Sequence, residues 1–292
     1  MASLEVLLRI GIYVMALVVL TFLFWYIIQV LWIKAKRRAV KAALFILSIV
    51  LAISTLFGTL TFYVYNGIGH QPDIYRSGNR SSNMVALTFD DGPSPEFTPA
   101  ILDILREYNV PATFFMVGAH VEKYPEIAQR IVEEGHEIGN HTYNHRNIPT
   151  LSTMDLNKEL LEATAAITGI TGVYPAYVRP PRGMYGGRFR RLANVLGQEI
   201  VLWTVSTRDW RYGVSADKIV NTIKSRVKGG DIILFHDSGA LIKSEGGDRR
   251  ATILALPKAI ETIQAKGLEI VPLSVLLHEA PAELFPQVDM PE

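Results

Sequence analysis

The chain has 292 residues, a formal net charge of +1 and a hydrophobic fraction of 49%, which is high for a soluble protein. It contains no cysteine, so disulfides and thiolate chemistry are excluded, and any metal must be held by histidine or carboxylate side chains. The first 70 residues hold six of the 29 basic residues and one of the 28 acidic ones, which leaves the remainder near −4. A negative remainder argues against a nucleic-acid partner.

Two stretches without a charged residue, 10–33 and 42–65, open the chain. Each exceeds the roughly 20 apolar residues that a helix needs to cross a bilayer. A cleaved signal peptide fits the first stretch poorly, because its apolar core would have only about 7–15 residues. We therefore predict that 1–69 forms a two-helix transmembrane hairpin.

Five basic side chains and no acidic one lie between the two stretches: Lys34, Lys36, Arg37, Arg38 and Lys41. Short basic loops stay in the cytoplasm. The pattern predicts a two-span protein of the cell membrane, in contact with the lipid bilayer, whose C-terminal domain is extracytoplasmic.

The polar, glycine-containing segment 70–82 is predicted to be a linker to one domain over 83–292. In that domain, strand and helix patterns alternate. Strands are predicted over 84–89, 112–117, 136–139, 176–178, 200–205, 231–235 and 269–272. Helices are predicted over 97–108, 121–134, 153–167, 187–196, 216–227 and 250–266. Such alternation indicates a mainly parallel sheet covered by helices, and about seven units favour a barrel.

Chemically capable side chains follow five of the seven predicted strands. In a barrel of this kind, active sites gather where strands end and loops begin. Solvated loops would favour Ser, Asn, Lys and Glu instead, so the pattern favours a site over a simple Asp-Asp-Gly turn. The residues are Asp90, Asp91, His141, His145, Arg179, Asp209 and His236.

A metal site is predicted from three of these residues. His141 and His145 are four residues apart, and one helical turn would place both imidazoles on one face. Asp91 would supply an anionic third ligand, and a set of two histidines and one carboxylate suits a catalytic Zn²⁺ or a similar ion. The cation would also neutralise one of two adjacent carboxylates, which leaves Asp90 ionised as a base.

Five short motifs, "TFDDG", "HTYNH", "RPPRG", "RDW" and "LFH", occur in this order. Together they resemble the motifs of the NodB-homology polysaccharide deacetylases, carbohydrate esterase family four (CE4), over about 84–273. The resemblance implies a distorted (β/α)7 barrel of NodB type and a metal-dependent polysaccharide N-deacetylase. It also implies one divalent ion, zinc first, with cobalt, nickel or manganese as alternatives.

The resemblance assigns roles to the four remaining polar residues. Asp90 matches the general base, and Arg179 matches the arginine that orients it. His236 matches the general acid, and Asp209 matches the partner that tunes it. The three predicted metal ligands match the family's ligands.

Three further positions match substrate-binding residues of the family. The backbone N–H of Arg182 matches an oxyanion donor, Trp210 a wall of the pocket and Leu234 a lining residue of the acetyl pocket. Many members have an aromatic residue at the position of Arg182 and an aspartate at the position of Ser206, so we assign Ser206 no role. The other histidines are expected to be structural: His70, His120, His136 and His278.

The leading interpretation is a membrane-anchored hydrolase that removes N-acetyl groups from amino sugars of an extracytoplasmic polysaccharide, with peptidoglycan N-acetylglucosamine the first candidate. Deacylation of a lipid-linked sugar and O-acetyl ester cleavage are alternative reactions of the same site. The non-enzymatic alternative is a membrane-anchored glycan-binding protein, against which the intact base, ligands and acid argue.

Overall fold

The computed structural model of the protein describes residues 24–34, 37–66, 73–239 and 247–278. The chain divides into two compact units, Met1–Pro72 and Asp73–Glu292. In the first unit, the described residues form helices α1 (Phe24–Lys34) and α2 (Arg38–Asn66).

One helix among the described residues is long and apolar enough to cross a membrane, over the 21 residues Arg38–Gly58 of α2. Large apolar side chains such as Phe45 and Leu56 are exposed along it, which suits lipid better than water. Helix α1 is apolar but shorter, and most of the first predicted span, 10–33, lies outside the described residues. The two-span hairpin therefore stays a prediction.

The second unit alternates strands with helices, as predicted. Its strands are β1 (Ile74–Tyr75), β2 (Met84–Asp90), β3 (Thr113–Met116), β4 (Glu137–Asn140), β5 (Tyr177–Val178), β6 (Glu199–Val201), β7 (Val205–Ser206), β8 (Ile232–His236) and β9 (Glu269–Ile270). Its helices are α3 (Thr98–Glu107), α4 (Gly118–Lys123), α5 (Pro125–Glu133), α6 (Thr153–Thr171), α7 (Gly187–Val195), α8 (Ala216–Arg226), α9 (Arg250–Ala265) and α10 (Leu273–His278).

The strands form a parallel sheet in the order β1-β6-β5-β4-β3-β2-β8-β7, and β9 pairs separately with the start of β2. Strands β6 and β7 lie towards opposite ends of this order, yet only residues 202–204 separate them along the chain. Because that segment reaches no more than about 14 Å between the flanking strands, the sheet must curl until its ends approach each other. The result is a distorted barrel that the chain itself closes between β6 and β7.

The central strand β2 is buried on both faces, as expected of a strand inside a parallel sheet. Successive residues face opposite sides of a strand. Val85, Leu87 and Phe89 belong to the large core cluster that also contains residues of α3, α8 and α9. By alternation, Thr88 and Asp90 face the interior of the curled sheet, so the last residue of β2 brings a carboxylate to its mouth.

Proline divides the helix predicted over 121–134 into two. Pro125 is the first residue of α5, a position where its missing N–H costs no hydrogen bond, and α4 ends just before it. The single strand predicted over 200–205 is also two strands, because the chain leaves the sheet after β6 and rejoins its other end as β7.

The predicted linker is shorter in the structure than in the sequence analysis. Ile74 and Tyr75, inside the predicted linker 70–82, form β1 and pair with Ile200 and Val201 of β6. The side chain of Ile74 is buried in a core cluster with residues of α6 and α7. The second compact unit therefore begins at Asp73 rather than after residue 82.

Candidate active site

Parallel strands bring the predicted chemical residues to one edge of the sheet. Asp90 is the last residue of β2 and His236 the last of β8, and these two residues are register partners. His141 directly follows β4, and Arg179 directly follows β5. The carboxyl ends of parallel strands lie at the same edge, which is where this architecture places its active sites.

Asp91, His141 and His145 form the one group of three or more potential metal ligands among the described residues, and their ligand atoms lie within 4.8 Å of one another. Asp91 Oδ1 lies 3.4 Å from His141 Nε2 and 3.3 Å from His145 Nε2. His141 Nδ1 lies 2.7 Å from the carbonyl oxygen of Arg179 and donates to it. This hydrogen bond leaves the lone pair of His141 Nε2 facing Asp91, as a metal ligand requires.

Two observations show that these side chains fit a divalent ion. Asp91 Oδ1, which faces the Nε2 atoms of both histidines, is buried and has no hydrogen-bond partner among the described residues. The separations of 3.3 and 3.4 Å also match the roughly 3.3 Å edge between two ligands bonded at about 2.0–2.1 Å to one tetrahedral ion.

Electrostatics keep the group in the protonation state that binds a cation. Burial alone would raise the pKa of Asp91, but the neighbouring side chains of His141, His145 and His236 outweigh it and lower the pKa. Burial lowers the pKa of His145 to about 4, although Asp91 opposes the shift. At neutral pH, Asp91 is ionised and His145 is uncharged with a lone pair available.

A loop, and not the predicted helical turn, brings the two histidines together. Residues 141–147 are not helical, and Thr142 and His145 have positive φ angles of 65° and 53°. Two left-handed residues fold the chain back, so that the imidazole rings lie 5.0 Å apart. The two imidazoles do lie together, as predicted, but the helical turn that the spacing of four suggested is wrong.

Asp90 faces a different set of partners from its neighbour Asp91. Arg179 Nη1 donates to Asp90 Oδ1 over 2.6 Å. The other oxygen, Oδ2, lies 3.7 Å from His141 Nε2 and so points towards the metal-ligand group. One oxygen of Asp90 is held by the arginine, and the other is directed at the three potential metal ligands.

The Arg179 guanidinium is fully buried and hydrogen-bonded on every nitrogen. Nη1 also donates to Thr88 Oγ1, and Nε and Nη2 donate to the carbonyl oxygens of Val201 and Leu202. The ring of Phe115 lies 3.9 Å below it. Burial lowers the pKa of Arg179, and the charge of Asp90 opposes that shift.

His236 and Asp209 form a tightly bound pair beside the metal-ligand group. His236 Nδ1 lies 2.7 Å from Asp209 Oδ1, while Asp209 Oδ2 accepts from the backbone N–H of His236 and from Thr252 Oγ1. Burial lowers the pKa of His236, but the charge and hydrogen bond of Asp209 outweigh it and raise the pKa to about 9. His236 is therefore protonated at neutral pH, and its Nδ1, not its Nε2, contacts Asp209.

The three predicted substrate-binding residues lie in different surroundings. Arg182 has a left-handed φ of 58°, and its charge contributes to the lowered pKa of His145, which places it beside the metal-ligand group. Trp210 is half-buried, with the guanidinium of Arg211 5.4 Å from its ring. Leu234 is buried within β8.

Two residues hold the backbone at Asp91 and Gly92, and the sequence predicted neither role. Asp237 accepts from the backbone N–H of Gly92 and from Thr98 Oγ1. His120, expected to be structural, has Nδ1 2.8 Å from the carbonyl oxygen of Asp91. The adjacency of Asp237 to His236 was the available signal for the first, and nothing in the sequence marks the second.

The remaining histidines stay away from these contacts. His136 lies just before β4, at the end of the strand opposite His141. His278 Nε2 lies 3.0 Å from Glu199 Oε2. His70 lies outside the described residues.

Known deacetylases are similar in sequence to this chain. The polysaccharide deacetylase family model matches residues 77–201. A peptidoglycan-N-acetylglucosamine deacetylase of Bacillus cereus is 40% identical over 197 residues, which cover 68% of this chain and 69% of that protein. A chitooligosaccharide deacetylase of a Bradyrhizobium species is 37% identical over 206 residues, covering 68% of this chain and 92% of that protein.

Solved structures match the second unit closely. The crystal structure of a peptidoglycan N-acetylglucosamine deacetylase gives a TM-score of 0.65 at 38% identity, covering 70% of this chain and 92% of that one. The structure of a CE4 family pseudoenzyme from Bacillus anthracis gives a TM-score of 0.64 at 28% identity, covering 72% and 70%. Because an enzyme and a pseudoenzyme match equally well, the fold alone does not decide activity, and the side chains at the strand ends must.

Proposed function

Since this chain belongs to the polysaccharide deacetylase family and is a hydrolase of the NodB-homology (CE4) group, we propose that it removes N-acetyl groups from amino sugars of an extracytoplasmic polysaccharide. Peptidoglycan N-acetylglucosamine is the first candidate, because similar proteins carry that activity in their names. We further propose that the reaction depends on one divalent ion, zinc first, with cobalt, nickel or manganese as alternatives.

The observation that carries the proposal is the different surroundings of two adjacent aspartates. Asp90 Oδ1 is held by Arg179 at 2.6 Å, whereas Asp91 Oδ1 faces only the two histidines. In this proposal, Asp91, His141 and His145 hold the ion, and Asp90 is free to act as a base. A bound ion would polarise the acetamide carbonyl and acidify a water molecule.

The other side chains complete a general acid–base mechanism. Asp90 Oδ2, directed at the metal-ligand group, takes the proton of the attacking water. His236 holds its Nδ1 proton against Asp209, so its Nε2 proton is the one donated to the departing amine. The backbone N–H of Arg182 would support the developing oxyanion, a contribution of about 3 kcal/mol for one such donor. Trp210 and Leu234 would bound the sugar and the acetyl group.

A panel of acetylated glycans tests the activity directly. The purified protein is given peptidoglycan strands, chitooligosaccharides, a lipid-linked saccharide and an O-acetylated glycan, and released acetate and free amine are both measured. Equal amounts of acetate and amine from a polymer support the proposal. Turnover of the lipid-linked saccharide alone, or acetate release without amine, would instead support the lipid-linked or O-acetyl esterase alternative. Glycan binding without any acetate would leave a glycan-binding protein.

Replacing Asp209 with asparagine should move the alkaline limb of the pH–rate profile. His236 must be protonated to donate, and its pKa of about 9 means that activity is present below that pH and lost above it. Without the anionic partner, the pKa of His236 falls, so the limb should move about 1–3 units towards lower pH. The measurement is kcat/KM from pH 6 to 10, and an unchanged limb would contradict the role of His236 as the acid.

We propose that the catalytic domain lies outside the cytoplasm, anchored by a two-span hairpin. The basic loop between the apolar stretches and the exposed apolar surface of α2 support this topology. A reporter that is active only outside the cytoplasm should be active when fused after Pro72, where the first compact unit ends, and inactive when inserted in the basic loop. The reverse pattern would overturn the topology.

A further inference from the structure

A buried glutamate accepts two hydrogen bonds from the loop that carries one of the proposed metal ligands. Glu159 is 3% exposed and lies on the buried face of α6. Its Oε2 accepts from the backbone N–H of Asn144 over 2.8 Å, and its Oε1 accepts from Asn144 Nδ2 over 3.1 Å. Asn144 directly precedes His145, so both oxygens of Glu159 act one residue away from a ligand.

The loop over residues 141–147 has a backbone conformation that is unfavourable without support from the surrounding structure. Thr142 and His145 are both left-handed, and this conformation is unfavourable for residues with a Cβ, most of all for a β-branched one. Such geometry is energetically costly and persists only where the surroundings impose it. Glu159 supplies two of the contacts that impose it.

Other contacts tie the loop to a second helix. The backbone N–H groups of Gly118 and Ala119, at the start of α4, donate to the carbonyl oxygens of Thr142 and Tyr143. A Cβ on Gly118 would lie 2.7 Å from Tyr143 Cδ2, so the loop packs directly on α4. Because α4 and α6 both bond to it, the loop has little freedom while Glu159 is in place.

Glu159 has no basic partner within the described part of the chain. Its oxygens are satisfied by uncharged donors from Asn144 alone. Burying a carboxylate among neutral groups is unfavourable unless another interaction compensates for the lost hydration. A divalent ion bound at His145, next to Asn144, would supply that compensation. The buried charge of Glu159 and a filled metal site therefore stabilise each other.

We propose that Glu159 is a positioning residue for metal binding, which holds His145 in its ligating orientation through Asn144 without touching the ion. This inference rests on the proposed function, because it needs a metal at Asp91, His141 and His145. Loss of a partner that orients a ligand typically weakens metal binding about 10–100-fold. The expected defect is therefore in affinity for the ion and not in the chemical step.

The test compares Glu159→Gln with Glu162→Gln in the full chain. Glutamine keeps the size of the side chain, but it offers one oxygen where Asn144 needs two acceptors, and it removes the charge. Glu162 is a matched control on the same helix, half-exposed, with Lys158 at 3.6 Å. The zinc dissociation constant is measured by competition with a coloured chelator, and the unfolding midpoint of the metal-free protein is measured alongside.

Glu159→Gln should bind zinc about 10–100-fold more weakly, and its kcat should recover at saturating zinc. Glu162→Gln should match the wild type. Asn144→Ala removes only the Nδ2 contact and should weaken zinc binding less, and combining it with Glu159→Gln should add little.

Two outcomes separate the failures. If the wild type binds no metal, the proposed metal site itself is wrong. If the wild type binds zinc and folded Glu159→Gln binds it equally tightly, the positioning role of Glu159 is overturned while the proposed function stands.

Discussion

Replacing Asp90 with asparagine should lower kcat by about 10²–10⁴-fold while one metal ion stays bound, because a general base contributes that much to catalysis. Asparagine keeps the shape of the side chain and can still accept from Arg179, but it cannot take a proton from water. Asp91→Asn should behave differently and lose the metal, because the ligand atom that faces both histidines is no longer anionic. Metal content and turnover, measured on both variants, check this division of labour.

The stability of Asp90→Asn must be measured together with its activity. Arg179 is fully buried, and removing the charge of its partner leaves a buried cation uncompensated, at a cost of about 3–5 kcal/mol. Thr88→Val is the matched control, because it removes a different acceptor of Arg179 Nη1 and leaves the Asp90 carboxylate unchanged. If folded, metal-bound Asp90→Asn retains turnover close to that of Thr88→Val, Asp90 is not the base.

Alanine at His141 or at His145 should remove metal and activity together. Each imidazole is one of three side chains that fit the ion, so its loss should weaken metal binding by more than the roughly 100-fold effect of losing a ligand's hydrogen-bond partner. The measurements are metal content after dialysis and acetate release at several zinc concentrations. His278→Ala is the control, because His278 lies on α10 against Glu199 and away from this group.

The two histidine variants should also differ from each other. His141 Nδ1 donates to the backbone carbonyl oxygen of Arg179. His141→Ala therefore also removes the hydrogen bond of a buried acceptor on the residue that holds Asp90. His145 Nδ1 has no such partner. Excess zinc should therefore restore less activity to His141→Ala than to His145→Ala. Full metal occupancy in either variant would rule out that histidine as a ligand.

The sequence was sufficient for the fold class and for the edge at which the site lies. Alternating strand and helix patterns predict a parallel sheet, and a parallel sheet collects its strand ends at one edge. The burial of Phe89 and the inward direction of Asp90 also follow from the two-residue period of β2. These features depend on residues close together in the chain, which is why pattern reasoning reached them.

Contacts between residues distant in the chain were beyond that reasoning. Glu159 lies 15 residues from Asn144, and Asp237 lies 145 residues from Gly92. Nothing in the sequence marks Glu159, and the position of Asp237 beside His236 does not identify its partners Gly92 and Thr98. The left-handed residues of the 141–145 loop were hidden for the same reason, because tertiary packing and not local preference selects their conformation.

Arg179 has a structural role that does not depend on catalysis, which bears on how this protein could evolve. Its guanidinium bonds Val201 and Leu202, where the chain leaves one end of the sheet for the other, as well as Thr88 and Asp90 on the central strand. A descendant that no longer deacetylates anything would still need this arginine to hold the barrel shut, together with a negative charge beside it. The side chain of His236 forms a hydrogen bond only with Asp209 among the described residues, so it has no comparable structural role. In such a lineage, we expect substitutions first at His236 and at the proposed metal ligands, while Asp90 and Arg179 are retained.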